Sequence, residues 1–135
     1  MKGIVLASHG EMANGLLDTS KLFFGDQEQL TTACIYAGQD PGEYVDILRD
    51  KINEVDTGEG TIVLCDVLFG TPCNSLGRLI GEGMTNFEVI TGMNLPILLQ
   101  LLAIRENGDV DIADLVNQGV EGIKDFKAIL NSALR

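Results

Sequence analysis

Four short apolar runs, Gly3–Ala7, Thr31–Tyr36, Thr61–Cys65 and Phe87–Thr91, recur along the chain, each followed by a polar or glycine-rich break and then a segment with helical spacing. The runs are nearly unbroken instead of alternating apolar with polar, as strands covered on both faces should be. Strand and helix in alternation predict an α/β fold: an open, mostly parallel sheet of four strands flanked by helices. At 135 residues the chain has the usual size of one domain, and 45 % apolar residues with no tryptophan suit an aliphatic core. Residues 1–135 are expected to form one domain, without linker, internal repeat or low-complexity segment.

Caps and stripes place the helices. After the first run Met12, Leu16, Phe23 and Phe24 recur near helical spacing, and Gly25 stands where a helix would end. In the second helix Asp40 can cap, Pro41 fits the first turn, and Tyr44, Val45, Leu48, Ile52 and Val55 form one stripe. A third is expected to open at Pro72 with Leu76, Leu79 and Ile80 inward, ending near Gly81 or Gly83. A fourth follows Asn94 and is apolar almost all round from Leu95 to Ile104, so it needs cover on more than one side, from a buried core or a second subunit. Beyond Asp109, Ile112, Leu115, Val116 and Val120 make a stripe that Gly119 and Gly122 are expected to break. Ile123–Phe126 reads equally as an edge strand or as more helix.

Charge and cysteines remove several function classes. A net charge of −11 would repel nucleic acid and anionic lipid, while favouring a protein partner with a basic face. Three cysteines, Cys34, Cys65 and Cys73, without CxxC spacing give neither a disulfide framework nor a zinc site. A single histidine cannot build a His-rich metal centre, and no Walker loop or GxGxxG is present, so no metal or cofactor is expected. Met1–Ala7 is too short for a signal peptide, and Leu95–Ile104 falls short of the ~20 residues of a membrane span, which makes the cytoplasm the expected compartment.

Ligands of open parallel sheets gather at the carboxyl ends of strands, near the point where strand order reverses. Ser8-His9-Gly10 follows the first run, and Asp66 follows the third, opening Asp66-Val67-Leu68-Phe69-Gly70-Thr71-Pro72. If those two strands are neighbours, Asp66 can bind one imidazole nitrogen of His9, fix its tautomer and leave the other nitrogen free as a nucleophile. Gly10 would let the backbone approach an anion, and the next helix N-terminus would favour one. At the other loop Thr71 offers a hydroxyl and an amide at the start of the third helix, and Gly70 beside it is a further candidate for holding a phosphoryl group. Each residue also has an ordinary reading: a polar loop histidine, a strand-end turn aspartate, a weak Gly-Thr-Pro turn, and in Glu11 a helix-start carboxylate.

Three stretches taken together resemble the mannose-family enzyme IIA of the bacterial phosphoenolpyruvate-dependent sugar phosphotransferase system. They are Gly3-Ile4-Val5-Leu6-Ala7-Ser8-His9-Gly10 with Leu16-Leu17, then Leu64-Cys65-Asp66 leading to Gly70-Thr71-Pro72-Cys73-Asn74, and Glu88-Val89-Ile90-Thr91-Gly92-Met93-Asn94-Leu95-Pro96. The resemblance implies that His9 is phosphorylated by the phosphocarrier HPr and passes the group to a histidine of enzyme IIB, with Asp66 holding the imidazole and Thr71 near the phosphoryl group. It also implies a homodimer in which an antiparallel edge strand is exchanged, a role that would suit Ile123–Phe126. Phe69 departs from the family's usual glycine, and with Leu68 it is expected on the rim that partners touch, or else as a core residue over the third helix. Two alternatives remain at this level: a phosphoprotein serving a dihydroxyacetone kinase, and a non-catalytic regulator whose phosphorylation reports flux.

Overall fold

A computed structural model describes residues 1–134. Four parallel strands, β1 (Gly3–His9), β2 (Leu30–Ile35), β3 (Thr61–Cys65) and β4 (Phe87–Ile90), pair in the order β2-β1-β3-β4. The helices are α1 (Met12–Phe24), α2 (Pro41–Val55), α3 (Thr71–Gly81), α4 (Leu95–Ile104), α5 (Ile112–Glu121) and α6 (Phe126–Ala133), with a 3₁₀ turn at Arg105–Asn107 after α4. From β1 the chain moves outward to β2 and then returns to β3 on the other side, so the order reverses between β1 and β3. That is where a doubly wound sheet opens a crevice.

Strand alternation sorts the core into two layers. Val5, Ala7, Val63 and Cys65 face α2 and α3, meeting Tyr44, Leu48, Ile52, Leu76 and Leu79. Ile4, Leu6, Ile62 and Leu64 face the other way, against Ala13, Ile97, Leu98, Leu101 and Leu115. Both layers are aliphatic, and β1 is buried from Gly3 through Ser8. The α2 stripe is buried as its spacing predicts, with the Asp40 carboxylate accepting from the Glu43 amide at 3.3 Å.

Other faces differ from expectation. On α1 the fully buried residues are the small Ala13 and Ser20, and Leu16 and Leu17 are half-buried against the core, while Met12, Phe23 and Phe24 are exposed. Ile80 is likewise 56 % exposed at the end of α3. Gly119 does not break α5. It is buried inside that helix, where a Cβ would come within 3.0 Å of Ile97 Cδ1, so the glycine lets α5 lie directly on α4. The α4 helix is thus covered by the sheet and α5 within one chain. The 123–125 segment is a connection into α6 and not a strand; none of the described residues forms an antiparallel edge.

A buried arginine ties the elements together. Arg105, 1 % exposed, donates to the carbonyls of Lys2 (3.3 Å), Gln29 (3.0 Å) and Glu28 (2.6 Å) and to Oε1 of Gln27 (3.3 Å). It binds the end of α4 to the entries of β1 and β2.

Candidate functional site

His9 is the last residue of β1 and lies beside Ile35, the last residue of β2. Alternation along β1 turns Ser8 to the α1 side and His9 to the α2–α3 side. Ser8, fully buried, accepts from the Ala13 amide at 2.8 Å and so anchors the start of α1. β3 adjoins β1, which brings Asp66 alongside His9.

One carboxylate oxygen, Asp66 Oδ2, accepts from both the His9 amide (2.8 Å) and His9 Nδ1 (2.7 Å), while Oδ1 accepts from the Val67 amide at 2.8 Å. Burial of Asp66 opposes its charge, but the bonds from the His9 amide, the His9 ring and the Val67 amide more than offset it, holding the carboxyl below its ordinary range. Nδ1 is therefore the protonated nitrogen. Nε2 makes no hydrogen bond among the described residues, and the side chain is half exposed.

Gly70 packs directly on the ring: a Cβ there would lie 2.7 Å from His9 Cε1 and 3.5 Å from Nε2. Its lack of a side chain keeps the imidazole in place and its free edge open. In front of His9 lies a groove of about 390 Å³ lined by Gly10, Ile35, Tyr36, Gln39, Pro41 and Thr71, so Thr71 does reach the histidine's surroundings. Gly10 adopts φ +56°, but its amide donates to the Ile35 carbonyl at 2.8 Å. The amides of Gly10 and Ala13 are thus already engaged. No Lys or Arg lines this groove.

Tyr36 also lines the groove, although the sequence shows it only as the end of an apolar run. It follows β2, the third strand end of the crevice, and its hydroxyl donates to Glu11 Oε1, whose Oε2 accepts from Asn14 Nδ2 at 3.3 Å. The Tyr36 bond, then Asn14, pull the Glu11 carboxyl below its usual range, and the same Glu11 bond pushes the Tyr36 phenol up to about 12.

The loop from Asp66 to Thr71 exposes Val67, Leu68 and Phe69, the last at 76 %. Phe69 is therefore not a core residue over α3. Its φ is +63°, within a turn closed by the Gly70 amide on the Val67 carbonyl at 3.5 Å, and Asn74 Nδ2 donates to its carbonyl at 3.0 Å. A bulky residue there costs on the order of 1–2 kcal/mol relative to glycine.

The fold and this crevice define a doubly wound α/β protein that presents one carboxylate-held imidazole where its strand order reverses. The family described as "PTS system fructose IIA component" matches residues 3–118, and the chain belongs to this mannose–fructose enzyme IIA family of the sugar phosphotransferase system. It is 30 % identical over 128 residues to the PTS system mannose-specific EIIAB component of Escherichia coli (strain K12), covering 93 % of this chain and 39 % of that protein. The chain thus spans about two-fifths of that relative's length. It is 26 % identical over 117 residues to the PTS system fructose-specific EIIA component of Bacillus subtilis (strain 168), covering 87 % of this chain and 78 % of that protein. Among solved structures it is similar to the PTS IIA protein associated with the fucose utilization operon from Streptococcus pneumoniae, with a TM-score of 0.86, 26 % identity and 96 % of each chain covered. No helix among the described residues is long and apolar enough to cross a membrane.

Proposed function

We propose that this chain is a phosphocarrier domain that takes a phosphoryl group from phospho-HPr onto Nε2 of His9 and passes it to a histidine of an enzyme IIB during sugar uptake in the cytoplasm. The observation that carries this reading is the 2.7 Å contact of His9 Nδ1 with Asp66, which leaves Nε2 as the available nucleophile. The Nε2 lone pair attacks phosphorus in line, and the donor's N–P bond breaks with its electron pair staying on the donor nitrogen. Positive charge then develops on the His9 ring, and Asp66 stabilises it through Nδ1–H. The onward step reverses these roles. Thr71, which lines the same groove as His9, would offer its hydroxyl to a phosphoryl oxygen, whereas Gly10 contributes a turn and Gly70 contributes clearance.

The test is incubation with phosphoenolpyruvate, enzyme I and HPr, followed by intact mass measurement. One phosphoryl group that is labile to acid and stable to base is expected. An acid-stable adduct would point to a hydroxyl acceptor and end this reading. Adding enzyme IIB should then empty the protein quickly; a phosphoprotein that stays charged would be a reporter and not a relay.

Val67, Leu68 and Phe69 stand beside His9 with no cover, and we assign Leu68 and Phe69 to the surface that partners touch. Exposed aromatic residues at such rims commonly anchor binding. Phe69→Gly should slow transfer to enzyme IIB several-fold. The melting temperature should stay within about 5 °C of the wild type, since relief of the positive-φ strain balances the added chain entropy. Unchanged transfer kinetics would remove Phe69 from the docking surface.

A homodimer is part of the same reading. Val116, Val120, Ile123, Phe126, Ile129 and Leu130 expose apolar surface along α5 and α6, and α6 buries none of its residues. Light scattering at micromolar concentration should give about twice the 14.5 kDa chain mass. A folded monomer would leave the chemistry standing and refute the shared interface.

A further inference from the structure

Tyr36 forms one wall of the groove in front of His9. It follows β2, is half-exposed, and lines the groove together with Gly10 and Thr71. Gln39 holds its backbone from both sides: the Tyr36 amide donates to Gln39 Oε1 at 3.1 Å, and the Gln39 amide donates to the Tyr36 carbonyl at 3.1 Å. From that position the phenol reaches α1, where its hydroxyl donates to Glu11 Oε1. Glu11 Oε2 accepts from Asn14 Nδ2 at 3.3 Å, and Asn14 Oδ1 in turn accepts from the Thr32 hydroxyl at 2.6 Å. Both carboxylate oxygens thus have a donor. The chain of bonds begins at Tyr36 after β2 and ends at Thr32 within β2, on the opposite side of β1 from Asp66 and the β3 loop.

The place of Glu11 gives this bonding its consequence. Glu11 is two residues from His9, at the cap of α1, and its chain neighbour Gly10 lines the groove while Glu11 itself does not. Among the described residues the groove lining holds neither a carboxylate nor a lysine or arginine. A carboxylate turned into it would face the incoming phosphoryl group with no cationic side chain to offset the repulsion. Glu11 carries its charge at neutral pH, since the Tyr36 bond and then the Asn14 bond hold its carboxyl below the ordinary range. The phenol, pushed up to about 12, keeps its proton there and remains a donor.

We propose that Tyr36 is a positioning residue whose hydroxyl keeps the Glu11 carboxylate on the β2 side and out of the groove, so that an anionic phosphoryl donor reaches Nε2 of His9 unopposed. This rests on the reading of His9 as the phosphoryl acceptor. The effect of Tyr36 on the reaction passes through the location of one negative charge, and it is separable from any contact that a partner makes with the ring.

The test uses two donors, phospho-HPr and the small anion phosphoramidate. With phosphoramidate the Nε2–P bond forms as the P–N bond breaks, and ammonia leaves with its electron pair, so no partner surface takes part. Wild type, Tyr36→Phe, Glu11→Gln and the double variant are compared by intact mass against time. Tyr36→Phe keeps the ring and releases Glu11; at low ionic strength its uptake from both donors should slow by about 3-fold or more. The deficit should shrink at about 1 M salt, where charges more than about 3 Å apart are largely screened. Glu11→Gln should be no slower than the wild type, and the double variant should recover the wild-type rate, because glutamine has no charge to misplace.

An unchanged rate for Tyr36→Phe would overturn the proposal. A double variant as slow as Tyr36→Phe would do the same, since it would assign the hydroxyl to packing, and so would slowing with phospho-HPr alone, which marks a docking contact. Wild-type uptake from phosphoramidate but not from phospho-HPr would refute the relay, while the phosphoramidate rates would still decide the task of Tyr36. Absence of uptake from either donor would refute His9 as the acceptor and this proposal with it.

Discussion

A His9→Ala protein is expected to take up no phosphoryl group, and Asp66→Asn is expected to accept it at least ~10-fold more slowly than the wild type. The two losses differ in kind. Alanine removes the proposed nucleophile, and the sequence has no other imidazole to replace it. Asparagine keeps the shape of Asp66 and the bond from the His9 amide. Its neutral side chain, however, neither insists on a proton at Nδ1 nor offsets charge on the ring. Such a change in a serine-protease triad costs about 10⁴ in rate through the wrong tautomer. The smaller expectation here allows for orientation supplied by the partner. Stopped-flow uptake from phospho-HPr checks both variants, and a wild-type rate for Asp66→Asn would refute the pairing.

The same pair carries a pH signature. The Asp66 carboxyl is held below its ordinary range in the folded protein, so its contribution to stability is complete above the unfolded value of about 3.9 and is lost as pH falls through the lower folded value. Asp66→Asn should therefore flatten part of the acid limb of the stability profile, without effect near neutrality from this source.

Arg105→Met should destabilise the fold by about 3–5 kcal/mol, a fall of roughly 10 °C or more in melting temperature. Methionine can occupy much of the volume but leaves the carbonyls of Lys2 and Glu28 without this donor, and the Gln29 carbonyl with only its bond from the Ile4 amide at 2.9 Å. Each buried polar group left unpaired costs about 1–3 kcal/mol. Desolvation pulls the guanidinium's pKa down from its ordinary high value, yet arginine remains charged in proteins, so the wild type retains these strong bonds. Arg78→Met is the control: Arg78 is largely exposed and pairs at the surface with Glu82, an arrangement worth little. Urea titration measures both. A loss below about 1 kcal/mol at Arg105 would show that water satisfies those carbonyls equally well.

Much of this architecture was legible because strands covered on both faces leave unbroken apolar runs. Thr61–Cys65 coincides with β3, and Leu95–Ile104 coincides with α4. β1 runs two residues further than its apolar run, since Ser8 finds a partner at the start of α1 and His9 finds Asp66. The pairing of His9 with Asp66 could be read because both close strands that a parallel sheet places side by side. What stayed hidden depends on contacts far apart in sequence. Arg105 looks like any helix-end cation until the β1 and β2 entries surround it, 76 to 103 residues away along the chain. Tyr36 looked like the end of a strand because its partner Glu11 lies across the crevice. The stripe of α1 holds at Leu16, which packs on the core, but not at Met12, Phe23 and Phe24, because burial there follows close approach and not side-chain size: Ala13 is buried while Phe23 is exposed.

His9 belongs to a central strand, with its amide and its ring fastened to one oxygen of Asp66. The entropy of orienting the imidazole is thus lost when the chain folds and not when a partner arrives. In the proposed relay a docking partner would meet a stationary target, and the adjustment needed for an in-line approach would fall to the partner's own histidine and to the Val67–Phe69 rim. Two dissimilar proteins could then use the same acceptor in turn, each fitting itself to an imidazole that does not change position between them.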